Sequence, residues 1–185
     1  MASKRDWLEA GLLVLSEDGA PALTVERLCA DLGLTKGSFY HRFKGMAGFR
    51  TDLLEHFEAE HTSRYIAGAE AGGGAASVKL NRLVDLILDD KGGNHDLEIA
   101  MRAWALQDSE VQALQQRVDR LRVDYVKSLW RDLGGPEAEV EPMARLLYLV
   151  LVGAQQVVPP VPAEDLREIY TLAMRPASHD GRDDA

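Results

Sequence analysis

The sequence predicts an all-α protein of about nine helices. Three observations carry this: apolar residues recur at steps of three and four along nearly the whole chain, no segment alternates convincingly with a period of two, and cap residues or glycines stand where one helical stripe gives way to the next. With 46% hydrophobic and 28% charged residues in 185, the composition is that of an ordinary globular chain with enough length for a real core.

The first helix opens at Ser3, whose spacing to Asp6 makes a capping box, carries the stripe Leu8, Leu12, Leu15, and ends at Asp18-Gly19. Two short helices of one design follow. In LTVERL, Thr24 is the N-cap and Leu23 staples to Leu28; in LTKGSF, Thr35 is the N-cap and Leu34 staples to Phe39. Gly33 between them supplies the positive φ for a sharp turn, and two capped short helices across a glycine turn describe a helix-turn-helix.

After Gly45 a long helix runs to about Ala71, with Phe49, Leu53, Leu54, Phe57 and Tyr65 at helical spacing, until AGAEAGGGAAS breaks it. Further helices are predicted near 76–90, 95–106, 108–132, 138–157 and 163–174. The one at 108–132 is amphipathic through Val111, Leu114, Val118, Leu121 and Tyr125. Leu146 to Ala154, LLYLVLVGA, is apolar all round, so it requires cover on every side. A second subunit is the economical source, and with the stripe Leu166, Ile169, Tyr170, Ala173 it places a homodimer interface on the helices near 138–157 and 163–174, with burial inside the monomer as the alternative. The predicted division is a three-helix domain with the helix-turn-helix at 1–48, a helical dimerisation domain at 49–175, and a polar, disordered tail at 176–185.

Charge is unevenly spread. Residues 1–50 hold seven Lys/Arg against six Asp/Glu, net +1, which leaves −10 for the rest of a chain whose total is −9. No acid lies between Asp31 and Asp52, where Lys36, Arg42, Lys44 and Arg50 all fall, so an electrostatic footprint for phosphates belongs to the N-terminal end. The lone cysteine, Cys29, allows no internal disulfide and fills the core as a small hydrophobe. Asp6 and Glu9 interrupt the apolar N-terminal residues, against a signal peptide, and no run reaches the roughly 18 apolar residues of a membrane span. A cytoplasmic protein without a membrane partner is expected.

A helix that enters a DNA groove needs small residues at the closest approach, polar tips for base edges, cations or hydroxyls for phosphates and apolar anchors behind. The stretch 34–43 divides in that way: Lys36, Gly37 and Ser38 make the first turn, where free amides and the helix dipole favour phosphate, Phe39 and Phe43 face inward, Tyr40 and His41 face outward, and Arg42 lies near the edge.

LTVERLCADLGLTKGSFYHRF resembles the helix-turn-helix of the tetracycline-repressor (TetR) family of bacterial regulators, over about residues 8–57 and most specifically over Gly33 to Phe43. AMRAWALQDSEVQALQQRVDRLR also looks like a segment of one branch of that family. The resemblance implies a homodimeric, ligand-released repressor whose paired recognition helices enter successive major grooves of a near-palindromic double-stranded DNA operator, with an unidentified small-molecule effector bound by the C-terminal domain. It puts Lys36, Gly37, Ser38 and His41 near bases and Thr24, Thr35, Tyr40 and Arg42 near phosphates. One position departs: where the family commonly has a phosphate-binding lysine at the start of the fourth helix this chain has Met46, with Lys44 two residues earlier as the substitute.

Against this stands an all-α enzyme or protein-interaction module that keeps a helix-turn-helix. No phosphate loop, nucleophile elbow or paired-histidine metal motif is present, and His41, His56, His61, His95 and His179 are scattered, so neither catalytic residue, cofactor nor metal is expected. An effector pocket is expected among the helices between about 50 and 158, lined by Met101, Trp104, Tyr125 and Tyr148, with Trp130 beside them and Arg102, Gln107 or Gln155 supplying polarity.

Overall fold

The computed structural model describes residues 2–88 and 94–174, and every regular element within them is helical. The last two residues of the helix expected to reach 90, the tail 176–185 and His179 lie outside the described residues. Helix α1 spans Lys4–Asp18 and is followed by a 3-10 turn at Ala20–Ala22; α2 is Val25–Leu32 and α3 is Lys36–Arg42. Helix α4 is continuous but not uniform: Gly45–Glu58, a π-helical stretch Ala59–Ser63, then Arg64–Glu70. The remainder is α5 (Ala76–Leu88), α6 (Asn94–Ala105), α7 (Ser109–Asp132), α8 (Glu137–Gln156) and α9 (Ala163–Ala173).

Local chemistry sets the N-terminal boundaries. Ser3 and Asp6 form the reciprocal capping box, Thr24 and Thr35 accept the amides of Arg27 and Ser38, and Gly33 at φ 64° closes α2 so that α3 begins three residues later. Phe39, Phe43 and Phe49 then converge on Trp7, with Trp7 edge-on to Phe39 at 5.5 Å and Phe43 edge-on to Phe49 at 5.0 Å. Gly11 makes this convergence possible, since a Cβ there would meet Phe49 Cζ at 2.7 Å. The same core continues through Leu97 and Met101 of α6 and Val111, Leu114 and Val118 of α7. Recognition-sized helices and body are thus packed on one apolar seam.

A second core forms lower in the body, where Val126, Ala144, Leu147, Leu166 and Tyr170 meet. One sequence expectation is corrected here. The inner stripe of α7 does not pass through Leu121, which is 41% exposed; Arg122 takes the inward position instead, because Glu98 of α6 is buried there to receive it. Helix α8 buries Leu147 but leaves Leu146 and Leu149 45% and 64% exposed on the single chain, so its fold does not supply the cover expected on that side.

Candidate functional site

The outward side of α2 and α3 holds the residues singled out in the sequence. Thr24 and Thr35 are exposed N-caps, and the Thr35 and Ser38 hydroxyl oxygens lie 3.2 Å apart. Tyr40 is 60% exposed, its ring edge-on to Phe39, so the anchor beneath fixes where the phenol points. His41 and Gly37 are also exposed. A Cβ at Gly37 would meet only Thr35 Oγ1 at 3.6 Å, an ordinary contact, so nothing within the chain requires a glycine there. A helical glycine costs about 1 kcal/mol relative to alanine, a cost that makes sense where another molecule's surface must come close.

The cations are less free than their count indicates. Lys36 Nζ forms an ion pair with Glu26 of α2, which raises the lysine and lowers the carboxyl, and Arg42 donates to the Ala2 carbonyl at 3.1 Å. Arg50 turns away from this face altogether: it bonds Asp108 at 2.6 Å and lies 5.0 Å over the Trp104 ring. Lys44 is the N-cap residue of α4 and makes no ion pair among the described residues, whereas Met46 packs into the core. Glu26 was not foreseen; it follows α2's cap by two residues, and only the fold brings it to Lys36.

Behind the seam, arginine pairs tie α4 to the α7 segment along its length. Arg50 meets Asp108, which also caps α7 and whose carboxyl that arginine holds below its ordinary value; Glu58 meets Arg117 at 2.6 Å; the carbonyl of His61 accepts from Arg122 at 3.0 Å. The last pair sits at a cavity of about 70 Å³. Its apolar wall includes Tyr65, Leu83, Val84, Val126, Leu147 and Leu151, and its polar end is Thr62, Glu98, Arg122 and Tyr148, with Gln155 also in the wall.

Of the four residues expected to line an effector pocket, Tyr125 and Tyr148 border this cavity and Met101 and Trp104 do not. Met101 is 1% exposed within the upper core, and Trp104 packs on that core under Arg50, because the face of α6 that carries them looks toward α1 and α4. Trp130 is also absent from the wall; of the polar candidates Gln155 is in it, Arg102 stands behind Tyr148, and Gln107 lies in the turn after α6. Burial pushes Tyr148 and Tyr125 above the ordinary phenol value, the latter helped by its bond to Glu70. For Arg122 burial pulls the other way, yet Glu98 outweighs it and raises the guanidinium further. Glu98 and Arg122 had a sequence signature: each is a charge set at helical spacing among apolar core positions, Glu98 beside Leu97 and Met101, Arg122 four residues after Val118.

His56 Nε2 lies 3.0 Å from Glu9, and the His61 ring stacks on Phe57. Among the described residues no three His, Cys, Asp or Glu side chains gather as a metal site, and no helix is long and apolar enough to cross a membrane.

Comparison with known proteins fits this geometry. Residues 8–52 match the family described as bacterial regulatory proteins, tetR family. No curated protein matches the chain significantly. Among solved structures, a TetR transcription regulator from Haloarcula marismortui is 20% identical, with 92% of this chain and 93% of that one covered at a TM-score of 0.71. The reduced form of E. coli NemR is 18% identical, covering 94% and 99% at 0.74, and a TetR transcriptional regulator from Legionella pneumophila is 13% identical, covering 95% and 98% at 0.74. At these identities the similarity establishes the fold.

Proposed function

The chain carries a tetR-family helix-turn-helix domain on the helical fold of such regulators, and from this we propose that it is a sequence-specific, DNA-binding transcriptional regulator acting as a homodimer. The observation that carries the proposal is the outward face of α3, where Thr35, Lys36, Gly37, Tyr40 and His41 are exposed over a buried Phe39 and a glycine stands that the chain itself does not need. Lys36, Gly37, Ser38 and His41 approach bases, and Thr24, Thr35, Tyr40, Arg42 and Lys44 approach phosphates. Lys44 does this from the α4 N-cap in place of Met46, which is turned inward.

Dimerisation uses the apolar residues that α8 and α9 leave uncovered: Leu146, Leu149, Ile169 and Leu172. Gly153, on the same side of α8, would meet nothing within 4 Å if it carried a Cβ, which leaves room for a partner helix to approach. The protein represses, and an effector in the cavity releases it. Helix α4 links the two ends, since Thr62 and Tyr65 line the cavity while Phe49 and Leu53 pack beneath the reading helices. An effector that favours one spacing of the paired α3 helices moves them toward or away from the roughly 34–36 Å that successive major grooves demand.

The test is binding of the purified protein to DNA fragments from around its own coding region. Tyr40→Ala and Lys36→Ala should each lower affinity about tenfold or more while leaving the melting transition in place, and Lys44→Ala, which removes a phosphate contact, should reduce the slope of log affinity against log salt by about one. Undiminished affinity in both α3 variants would exclude α3 as the reading element.

A further inference from the structure

The charges in the cavity wall are already spoken for. Arg122 donates Nε to the Thr62 hydroxyl at 3.1 Å, Nη1 to Glu98 at 3.0 Å, and Nη2 to Glu98 at 2.5 Å and to the His61 carbonyl at 3.0 Å, so four of its five N–H groups are used inside the protein. Glu98 is 2% exposed, and its carboxylate is matched by that one guanidinium. Tyr148 is equally committed: its hydroxyl donates to Asp119 at 2.7 Å and accepts from Arg102 at 2.8 Å, and Arg102 and Asp119 neutralise one another at 3.1 Å. Besides the His61 ring, which also borders the cavity, what faces a guest is a set of acceptors, one amide and the remaining N–H of Arg122. The two Glu98 oxygens keep lone pairs beyond the bonds from Arg122, and Gln155 makes no hydrogen bond among the described residues.

From this we propose that the cavity admits an uncharged, mainly apolar molecule bearing a hydroxyl or N–H group, and that it discriminates against anions of the same shape; this rests on the reading of the cavity as the effector site. A neutral donor can bond Glu98 without disturbing its partner. An anion meets the Glu98 carboxylate and only neutral or already paired donors, the Gln155 amide and the one remaining N–H of Arg122, so its charge is matched only by drawing Arg122 away, which strands Glu98 in a buried site. A cation faces the mirror-image cost, since it strands Arg122. The rest of the wall is apolar, so it contributes affinity in proportion to the hydrocarbon it covers. At about 70 Å³ the unliganded cavity is several times what one water needs, so short-chain guests enter first and longer ones require α5 to yield.

The experiment compares n-alkanols with n-alkanoates of equal length, from four to ten carbons, near neutral pH. Binding is followed by methyl chemical shifts of Leu83, Val126, Leu147 and Leu151 and by the melting temperature. Alkanols are expected to move those methyls and raise the melting temperature, with the matching alkanoates at least tenfold weaker. Glu98→Gln keeps the side chain's shape, removes its charge and leaves Arg122 uncompensated, so it should tighten alkanoate binding about tenfold or more and erase the preference for alcohols. Should that variant fail to fold, the otherwise unaltered protein gives the same answer: affinity for the acids should rise as the pH falls through the acid's own range, about 4 to 5, and equally in His61→Gln, whose ring also borders the cavity, because the neutral acid is admitted. Alkanoates bound as tightly as alkanols near neutral pH would overturn the charge discrimination while leaving the cavity as the effector site. Methyl shifts for neither series, or shifts only elsewhere, would overturn both.

Discussion

The upper and lower halves of the molecule solve burial differently. Around Trp7, Phe39, Phe43 and Phe49 the interior is aromatic and filled, with rings in edge-on and tilted contact and an α1–α4 approach so close that only a glycine fits at position 11. Around Arg122 the interior holds an ion pair, a phenol network and an unfilled space. Close-packed aromatic rings resist displacement, whereas a satisfied polar network beside a void can rearrange around a guest. The difference teaches how one small chain can keep its N-terminal face rigid while its body retains room to rearrange.

The comparison is broken most severely at the filled end. Phe39→Ala removes a ring with 0% exposure that touches four other aromatics, and it should cost about 4–5 kcal/mol in a urea unfolding series, the upper range for such truncations. At the polar end a single change should also be costly but repairable. Arg122→Met alone strands Glu98 and should lose about 3 kcal/mol or more, while Arg122→Met with Glu98→Leu should regain most of it, as replacement of a buried pair by apolar groups usually does. A double variant no better than the single one would mean that the pair holds the fold rather than the chemistry of the cavity.

Smaller effects sharpen the contrast. Thr35→Ala removes the α3 cap and should cost about 1 kcal/mol in the same unfolding series. Asp119 gives the lower half a pH signature. Burial by itself would raise its carboxyl, but hydrogen bonds from Arg102 and Tyr148 outweigh that and hold it below the ordinary 3.8. A carboxyl depressed in the folded chain contributes its stability above the unfolded value and loses it as pH falls through the folded one. Wild type should therefore lose more stability than Asp119→Asn as pH falls below about 4, with little change of that gap above about pH 5.

How much was legible in the sequence follows the same division. The caps at Ser3, Thr24 and Thr35, the turn at Gly33 and the inward Phe39 and Phe43 are set by neighbours within a few residues, so spacing alone locates them. Partners distant in sequence were not legible: Lys36 with Glu26, Arg50 with Asp108, Arg122 with Glu98. The cavity was half legible for a related reason. Large residues on α6 were expected to line it, but a helix between two cores has two inner faces, and Met101 and Trp104 took the upper one.

The π-helical stretch of α4 has a consequence for insertions and deletions. Buried residues along that helix step from Phe49 to Leu53 to Phe57 in fours, then jump five to Thr62 before resuming at Tyr65 and Ala69. The segment Ala59–Ser63 therefore absorbs one amino acid more than regular winding would accommodate, and keeps both halves of the helix in phase across it. The surplus is accommodated by arginines, with Arg64 bonding the Glu60 carbonyl and Arg122 that of His61. Removing one residue between Phe57 and Thr62 would leave each half facing its own core, yet take from the cavity the backbone oxygen on which Arg122 rests.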